Sequence, residues 1–393
     1  MKGEWPKVRL DECAEIVAGA TPSTSVESYW GGDVCWATPK DMSELEDAYI
    51  SNTPRKLTRA GLENCAASVL PAGSVLFSSR APIGHVAVNT VPMATNQGFK
   101  SFVPKPDRVK AKFLYWWLRT NRVYLESLGN GATFKEVSKT IVSRIEIPLP
   151  PLAEQRRIAE VLDKAEALRA KRRAALAQLE SLTQSLFLDL FGDPVANPKG
   201  FEIGRIRDLL DSASYGTSEK SGPHGEYAVL RMNNITRSGE MNFTDLKFMD
   251  LNESLHERYL VRTGDVLFNR TNSAELVGKT GIIRVSKPMA YAGYLIRLRV
   301  NADNDAEFLW GFLNSKYSKL MLRGMCKSII GMANINATEI QAMKIPLPPL
   351  DLQREFARRI TAVEKLKTAQ RAALAELDAL FASLQHRAFR GEL

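Results

Sequence analysis

Cysteine is scarce in this sequence: four in 393 residues, Cys13, Cys35, Cys65 and Cys326, with no paired spacing. That scarcity excludes a disulfide framework and fits the reduced thiols of a cytosolic protein. Histidine is equally scarce, and His85, His224, His256 and His386 are too dispersed to make a metal-ligand pattern. Long apolar runs are missing; none approaches the roughly 20 residues needed to cross a bilayer. No apolar signal core follows Met1-Lys2-Gly3-Glu4-Trp5-Pro6. A cytoplasmic location without a membrane partner is therefore expected. Gly129-Asn130-Gly131-Ala132-Thr133-Phe134-Lys135 lacks the Gly-Lys-Ser/Thr ending of a phosphate loop. No carboxylate–Lys cluster or Cys–His pair stands out as catalytic.

What is present is ordinary globular composition, 45% hydrophobic and 25% charged, with length enough for two domains and more than one core. Lys and Arg exceed Asp and Glu by 53 to 44, for a net charge of +9. A basic balance favours a polyanionic partner and is silent about fold.

The main signal is a repeat. Ile-Pro-Leu-Pro-Pro-Leu occupies 147–152 and again 345–350. Gln155-Arg156 matches Gln353-Arg354, and Arg173-Ala174-Ala175-Leu176-Ala177 matches Arg371-Ala372-Ala373-Leu374-Ala375. A period near half the chain is too long for a solenoid unit and points to a duplicated module. Each tail predicts a long helix, its prolines suited to the first turn. Apolar residues follow at heptad spacing: Ile158, Leu162, Ala165, Leu176, Leu179, Leu186 and Leu190, then Phe356, Ile360, Val363, Leu374, Leu377, Phe381 and Leu384. Leu168, Leu182, Leu366 and Leu380 widen the stripe. About 38 residues at 1.5 Å each make a rod of roughly 57 Å. Each seam has a polar centre, Arg169 and Arg172 in one copy and Lys367 and Gln370 in the other. These residues are either solvated flanking charges or, with Leu176 and Leu374, a waist that sets register or docks a partner subunit.

The globular parts are related more distantly. Gly73-Ser74-Val75-Leu76-Phe77 parallels Gly264-Asp265-Val266-Leu267-Phe268, a short apolar strand after a turn. Phe113-Leu114-Tyr115-Trp116-Trp117-Leu118 parallels Phe308-Leu309-Trp310-Gly311-Phe312-Leu313, and the spacing predicts short helices with Trp116, Trp117 and Trp310 in the core. The expected fold class is α+β: two mixed α/β domains, 1–150 and 192–348, each followed by a long helix, 151–191 and 349–393. The two helices are expected to pack as an antiparallel coiled coil with pseudo-twofold symmetry.

This arrangement resembles the specificity subunits of type I restriction-modification systems over essentially the whole chain. The resemblance rests on Ile-Pro-Leu-Pro-Pro-Leu-x-x-Gln-Arg opening each helix and on Gly-Asp/Ser-Val-Leu-Phe in each domain. The runs Ser78-Ser79-Arg80 and Asn269-Arg270-Thr271 add to it. It implies a non-catalytic subunit with two target recognition domains that bind double-stranded DNA. It also implies two methyltransferase subunits as partners, with restriction subunits in the full complex. S-adenosylmethionine would be used by the methyltransferase, with no cofactor bound by this chain. Asn197-Pro198-Lys199-Gly200 lacks the second Pro and the aromatic of the partner's Asn-Pro-Pro-Phe/Tyr motif. B-DNA advances roughly 34–36 Å per turn, so separated domains are expected to read a split target with two unlike halves.

Base reading needs Arg for guanine and Asn or Gln for adenine, while loop Lys and Thr hold phosphates. The first domain offers Arg80, Asn96, Gln97, Thr133 and Lys135; the second offers Arg231, Asn233, Asn234, Asn269, Arg270, Asn334 and Asn336. Tyr29, Trp30 and Tyr215 are candidates for stacking. Against each asparagine stands its suitability for turns. Two other functions stay open: an enzyme with an unrecognised motif, and an interaction protein whose coiled coil organises partners without reading sequence.

Overall fold

The computed structural model describes residues 5–393 apart from 46, 81, 132–134, 274, 326, 330 and 331, and side chains at all of these except 327–329 and 332. The chain folds as two compact units, Met1–Lys171 with Leu374–Leu393, and Arg172–Ala373. Both boundaries fall inside long helices, so each unit holds one globular head and a stretch of each helix.

In the first head a five-stranded sheet has the spatial order Ala14–Ala18, Lys100–Pro104, Val75–Phe77 (β1), Val86–Asn89, Tyr49–Ile50. A three-stranded sheet of Lys56–Leu57, Trp30–Ala37 and Met93–Thr95 accompanies it. In the second head one four-stranded sheet runs Leu210–Tyr215, Leu295–Val300, Val266–Asn269 (β2), Thr280–Ile282. Its other four-stranded sheet runs Lys247–Met249, Tyr227–Leu230, Met289–Tyr291, Leu260–Val261. Most pairs are antiparallel, with parallel pairs in both heads, so the heads are mixed α/β. β1 and β2 follow Gly73 and Gly264, which turn the chain at φ +87° and +91°, a region a side chain disfavours. Every residue of both strands is buried.

The helices Ala111–Thr120 (α1) and Ala306–Asn314 (α3) stand where the aromatic runs predict them. Trp116, Trp117 and Trp310 are buried. Gly311 lets α3 press against its neighbours: a Cβ there would lie 2.8 Å from the Phe356 ring and 3.0 Å from that of Phe187.

The repeated Ile-Pro-Leu-Pro segment closes each head on itself. Lys7–Arg9 pairs antiparallel with Glu146–Pro148, and Glu202–Arg205 pairs the same way with Lys344–Leu347. Pro148 and Pro346 therefore lie in a two-stranded ribbon, not in a helix. The long helices begin one residue after Pro151 and Pro349, as Leu152–Phe191 (α2, 40 residues) and Leu350–Ala388 (α4, 39 residues). At 1.5 Å per residue α2 is about 60 Å long.

The repeated glutamine fastens helix to head. Buried Gln155 donates from Nε2 to the carbonyls of Arg108 and Pro150 (2.9 Å each) and accepts from the Lys110 amide (2.8 Å). Gln353 donates likewise to the Pro348 carbonyl (2.9 Å) and to the side-chain oxygen of Asn304 (3.0 Å), and accepts from the Asp305 amide (2.9 Å).

Within each unit the two helices run antiparallel. In the first, Arg157 reaches the Leu393 carbonyl (3.1 Å) and Arg169 reaches Asp378 (2.6 Å). In the second, Arg172 bonds Gln370 (2.7 Å) and Arg359 pairs with Asp189 (3.6 Å). The apolar heptad ends bury against the heads as well as each other. Ile158, Leu162 and Ala165 share a core with Phe113, Trp116 and Phe381. Phe187, Phe191, Phe308 and Phe356 form one ring cluster, centroids 4.8–6.0 Å apart. The stripe is narrower than expected: Leu168, Leu182, Leu366 and Leu380 are 51%, 40%, 53% and 52% exposed and lie outside the seam. Among the described residues, no helix is long and apolar enough to cross a membrane.

Candidate nucleic-acid interface

The strand that carries β1 runs on through Ser78, Ser79 and Arg80, and its backbone gathers two distant loops. The Ser79 amide donates to the Gly98 carbonyl (2.8 Å), the Val137 amide donates to Ser79 (3.0 Å), and Arg80 bridges Glu136. The second head repeats this frame. The Arg270 amide donates to Tyr294 (3.1 Å), the Ile335 amide donates to Arg270 (2.9 Å), and Thr271 pairs with Asn334. A capped helix follows at once in both, with Ser138 and Asn336 accepting at their N-caps. Arg80, Gln97 and Lys135 in the first head, and Arg270 and Asn334 in the second, thus lie about one strand-end edge, whereas Arg231, Asn233 and Asn234 stand on the turn after Tyr227–Leu230.

Side chains on the first edge are accessible. Arg80 lies 3.8 Å from Glu136, their side chains 36% and 35% exposed, and Lys100 donates to Glu136 at 3.0 Å. Gln97 is exposed and bonded to the Thr21 hydroxyl, and Lys135 is exposed. Asn96 spends its oxygen on the Gly98 amide (2.9 Å), a turn-forming role. Thr133 lies outside the described residues. Trp30 offers no open platform on one face, because Arg55 covers its ring at 3.9 Å. Tyr29 is half-buried.

On the second edge Arg270 stacks over Tyr215 (4.9 Å), whose hydroxyl accepts from the Ala337 amide (2.9 Å). The Thr271 hydroxyl donates to Asn334 Oδ1 (3.0 Å). Arg231 and Asn233 both donate to Asp245 Oδ2 (3.0 and 2.9 Å), which holds them together at the surface. Three asparagine candidates need correction. Asn234 is buried and bonds the carbonyls of Asn242 and Asp245 (2.9 Å each) and the Arg231 amide, so it shapes a turn. Asn269 is fully buried in β2. Asn336 commits its oxygen to the Glu339 amide (2.9 Å). Asn234 is thus spent on local backbone, Asn269 is shut off by burial, and Asn336 uses its oxygen as a helix cap.

Behind the second edge, Lys279 donates to the carbonyls of Met232 and Ile235 (2.6 Å each), and Lys319 to that of Gly278 (2.7 Å). Burial, helped by the charge on Lys279, pushes Lys319 down to about 7.

The polar centres of the helices prove unlike one another. Arg172 and Gln370 meet, and Arg169 sits between Asp378 and Glu166 with its guanidinium 4.3 Å from the Phe381 ring. Lys367 is neither solvated nor open to a partner. It is 3% exposed and locked to Glu240 (3.1 Å) and Glu364 (3.0 Å). Burial works to raise the Glu240 carboxyl, but hydrogen bonds from Arg371 and Lys367 outweigh it and hold the group below its usual value. Leu176 and Leu374 are half-buried.

Sequence reasoning missed Glu136 and Thr271. The signal was a count: Glu136 and Asn334 both stand eleven residues before the Ile-Pro-Leu-Pro motif, and Arg80 and Thr271 both stand seven after the strand glycine. Among the described residues no cluster of three His, Cys, Asp or Glu forms a metal site.

A duplicated head with a shared backbone edge and unlike side chains matches a known domain twice. Residues 2–180 and 198–377 each match the type I restriction modification DNA specificity domain. The chain belongs to that family. Among its relatives, the MjaIX specificity subunit of Methanocaldococcus jannaschii is 36% identical over 224 residues, spanning 53% of this chain and about half (52%) of that protein. The EcoKI specificity subunit of Escherichia coli is 27% identical over 339 residues, 80% of this chain and 73% of its own. Of the solved structures, the type I S subunit from M. genitalium superposes over 98% of this chain and 96% of its own, with TM-score 0.60 at 14% identity. A chain from a type I R-M assembly gives TM-score 0.60 at 21% identity, covering 99% and 98%. These likenesses establish the fold. As a specificity family member the chain is a DNA-recognition component rather than a catalytic one.

Proposed function

We propose that this chain reads a bipartite, asymmetric DNA sequence, one half with each head. As the specificity subunit of a type I restriction-modification complex, it directs adenine methylation and restriction by partner subunits. The observation that carries this reading is the pair of strand-end edges, alike in backbone and unlike in side chains. Two readers of one design and different chemistry call for two half-targets of different sequence. Arg80, Gln97 and Lys135 serve the first half; Arg231, Asn233, Arg270 and Asn334 serve the second.

Partners follow from the helices. Leu168 and Leu380 are exposed in the first unit, and Leu182 and Leu366 in the second. Leu168 and Leu366 are repeat equivalents, as are Leu182 and Leu380. One such pair per unit suits two copies of one partner, the methyltransferase, whose S-adenosylmethionine is bound there and not by this chain. Restriction subunits join the larger complex, in the cytoplasm. Genome-wide mapping of methylated adenines with and without the chain tests the proposal. The expected result is one motif of two unlike halves around a fixed unread gap. A contiguous motif, or methylation indifferent to the chain, overturns it.

A further inference from the structure

The two edges coincide residue by residue, and that coincidence assigns a specificity position. Ser78 exchanges backbone bonds with Gly84 and His85, and Asn269 does so with Gly278 and Lys279 (2.8–2.9 Å). One residue on, Ser79 lies between Gly98 and Val137, as Arg270 lies between Tyr294 and Ile335. The next residue is the bridging one: Arg80 opposite Glu136, Thr271 opposite Asn334. Directly opposed residues of an antiparallel pair present their side chains on the same face, close enough to act as one group.

Resting on the reading above, we infer that the opposed pairs Arg80/Glu136 and Thr271/Asn334 are the equivalent specificity-determining residues of the two heads, the first selecting a G·C and the second an A·T base pair. Arg80 carries five donors in a planar fork suited to guanine O6 and N7. Glu136, held by Lys100 at 3.0 Å, orients that fork from a loose 3.8 Å contact that leaves donors for a base. In the second head the acceptor role of Asn334 Oδ1 toward Thr271 (3.0 Å) sets the amide orientation, so that its NH2 faces outward to donate to adenine N7 while the second lone pair of Oδ1 accepts from the N6 amino group that guanine lacks. One backbone frame thus carries two chemistries.

The test uses the full chain and a pool of random double-stranded DNA, with bound sequences read at fixed moderate salt. Arg80→Thr with Glu136→Asn is expected to reduce the preference for one G·C pair in one half-target by roughly 5- to 150-fold, the span of a good bidentate contact. The other half keeps its preference. Thr271→Arg with Asn334→Glu is expected to do the converse at an A·T pair of the other half. Thermal unfolding shows whether each variant is folded; Arg80→Lys, which keeps the charge and loses the fork, gives a milder version of the first result. Unchanged preference in folded variants, or loss spread equally over both halves, overturns the inference while leaving the proposed function intact. A parent chain that binds every sequence alike overturns both.

Discussion

Gln155 and Gln353 connect more backbone than any other side chain in the repeated motif, each satisfying three polar groups where helix meets head. Gln155→Ala leaves the buried Pro150 carbonyl, and the part-buried Arg108 carbonyl and Lys110 amide, without their partner, at about 1–3 kcal/mol for a fully buried group and less for the other two. A loss of about 3 kcal/mol in unfolding free energy is expected, read by denaturant titration. Lys319 works in the opposite sense. Its ammonium is pushed down to about 7 by burial, so between that pH and the ordinary lysine range the unfolded chain binds the extra proton. Stability therefore rises as pH rises from about 7 toward 10, and Lys319→Met flattens that slope in pH-resolved melts. At this scale the sequence was a partial guide. The side chains of Arg80 and Gln97 are accessible, whereas Asn234 is taken up by neighbouring backbone, Asn269 is buried in its strand and Asn336 caps a helix. An asparagine that caps and one that reads a base look alike in sequence.

The long helices show what periodicity decides and what it leaves open. Heptad spacing placed Ile158, Leu162, Phe356 and Ile360 in cores, where all four are buried. It also gathered Leu168, Leu182, Leu366 and Leu380 into the same stripe, because a stripe's width depends on how many neighbours a helix has, and these positions have solvent instead. Replacing Leu168 and Leu380 with Glu is expected to weaken association with the methyltransferase at least tenfold in a sedimentation or pull-down titration with purified partner. The melting temperature should be unchanged, since exposed leucines contribute little to folding. Phe356→Ala belongs to the other class. It opens a cavity in a four-ring cluster and is expected to cost about 3–5 kcal/mol. Charges at Leu176 and Leu374, both half-buried, are expected to loosen the helix pairing while each head stays folded, as near-ultraviolet and far-ultraviolet circular dichroism would report separately.

For the molecule as a whole, a net charge of +9 and edges mixing Arg with Asn imply binding in two parts, one that any DNA satisfies and one that needs the right bases. Phosphate contacts release counterions, so affinity for random DNA is expected to fall steeply between 50 and 200 mM salt. The ratio between target and random DNA should survive that change in a gel-shift series. Arg80→Ala should narrow the ratio for one half-target alone. Sequence by itself determined that the chain is a doubled module with two long helices, because an exact hexapeptide repeat, heptad spacing and short apolar strands after glycine are all local patterns. Only tertiary structure decided which side chains face outward. Arg80 and Glu136, or Thr271 and Asn334 across 63 residues, become one group when strand ladders bring them together. Burial then sorts Lys367 from Arg172, residues of like charge at the polar centres of two matching helices.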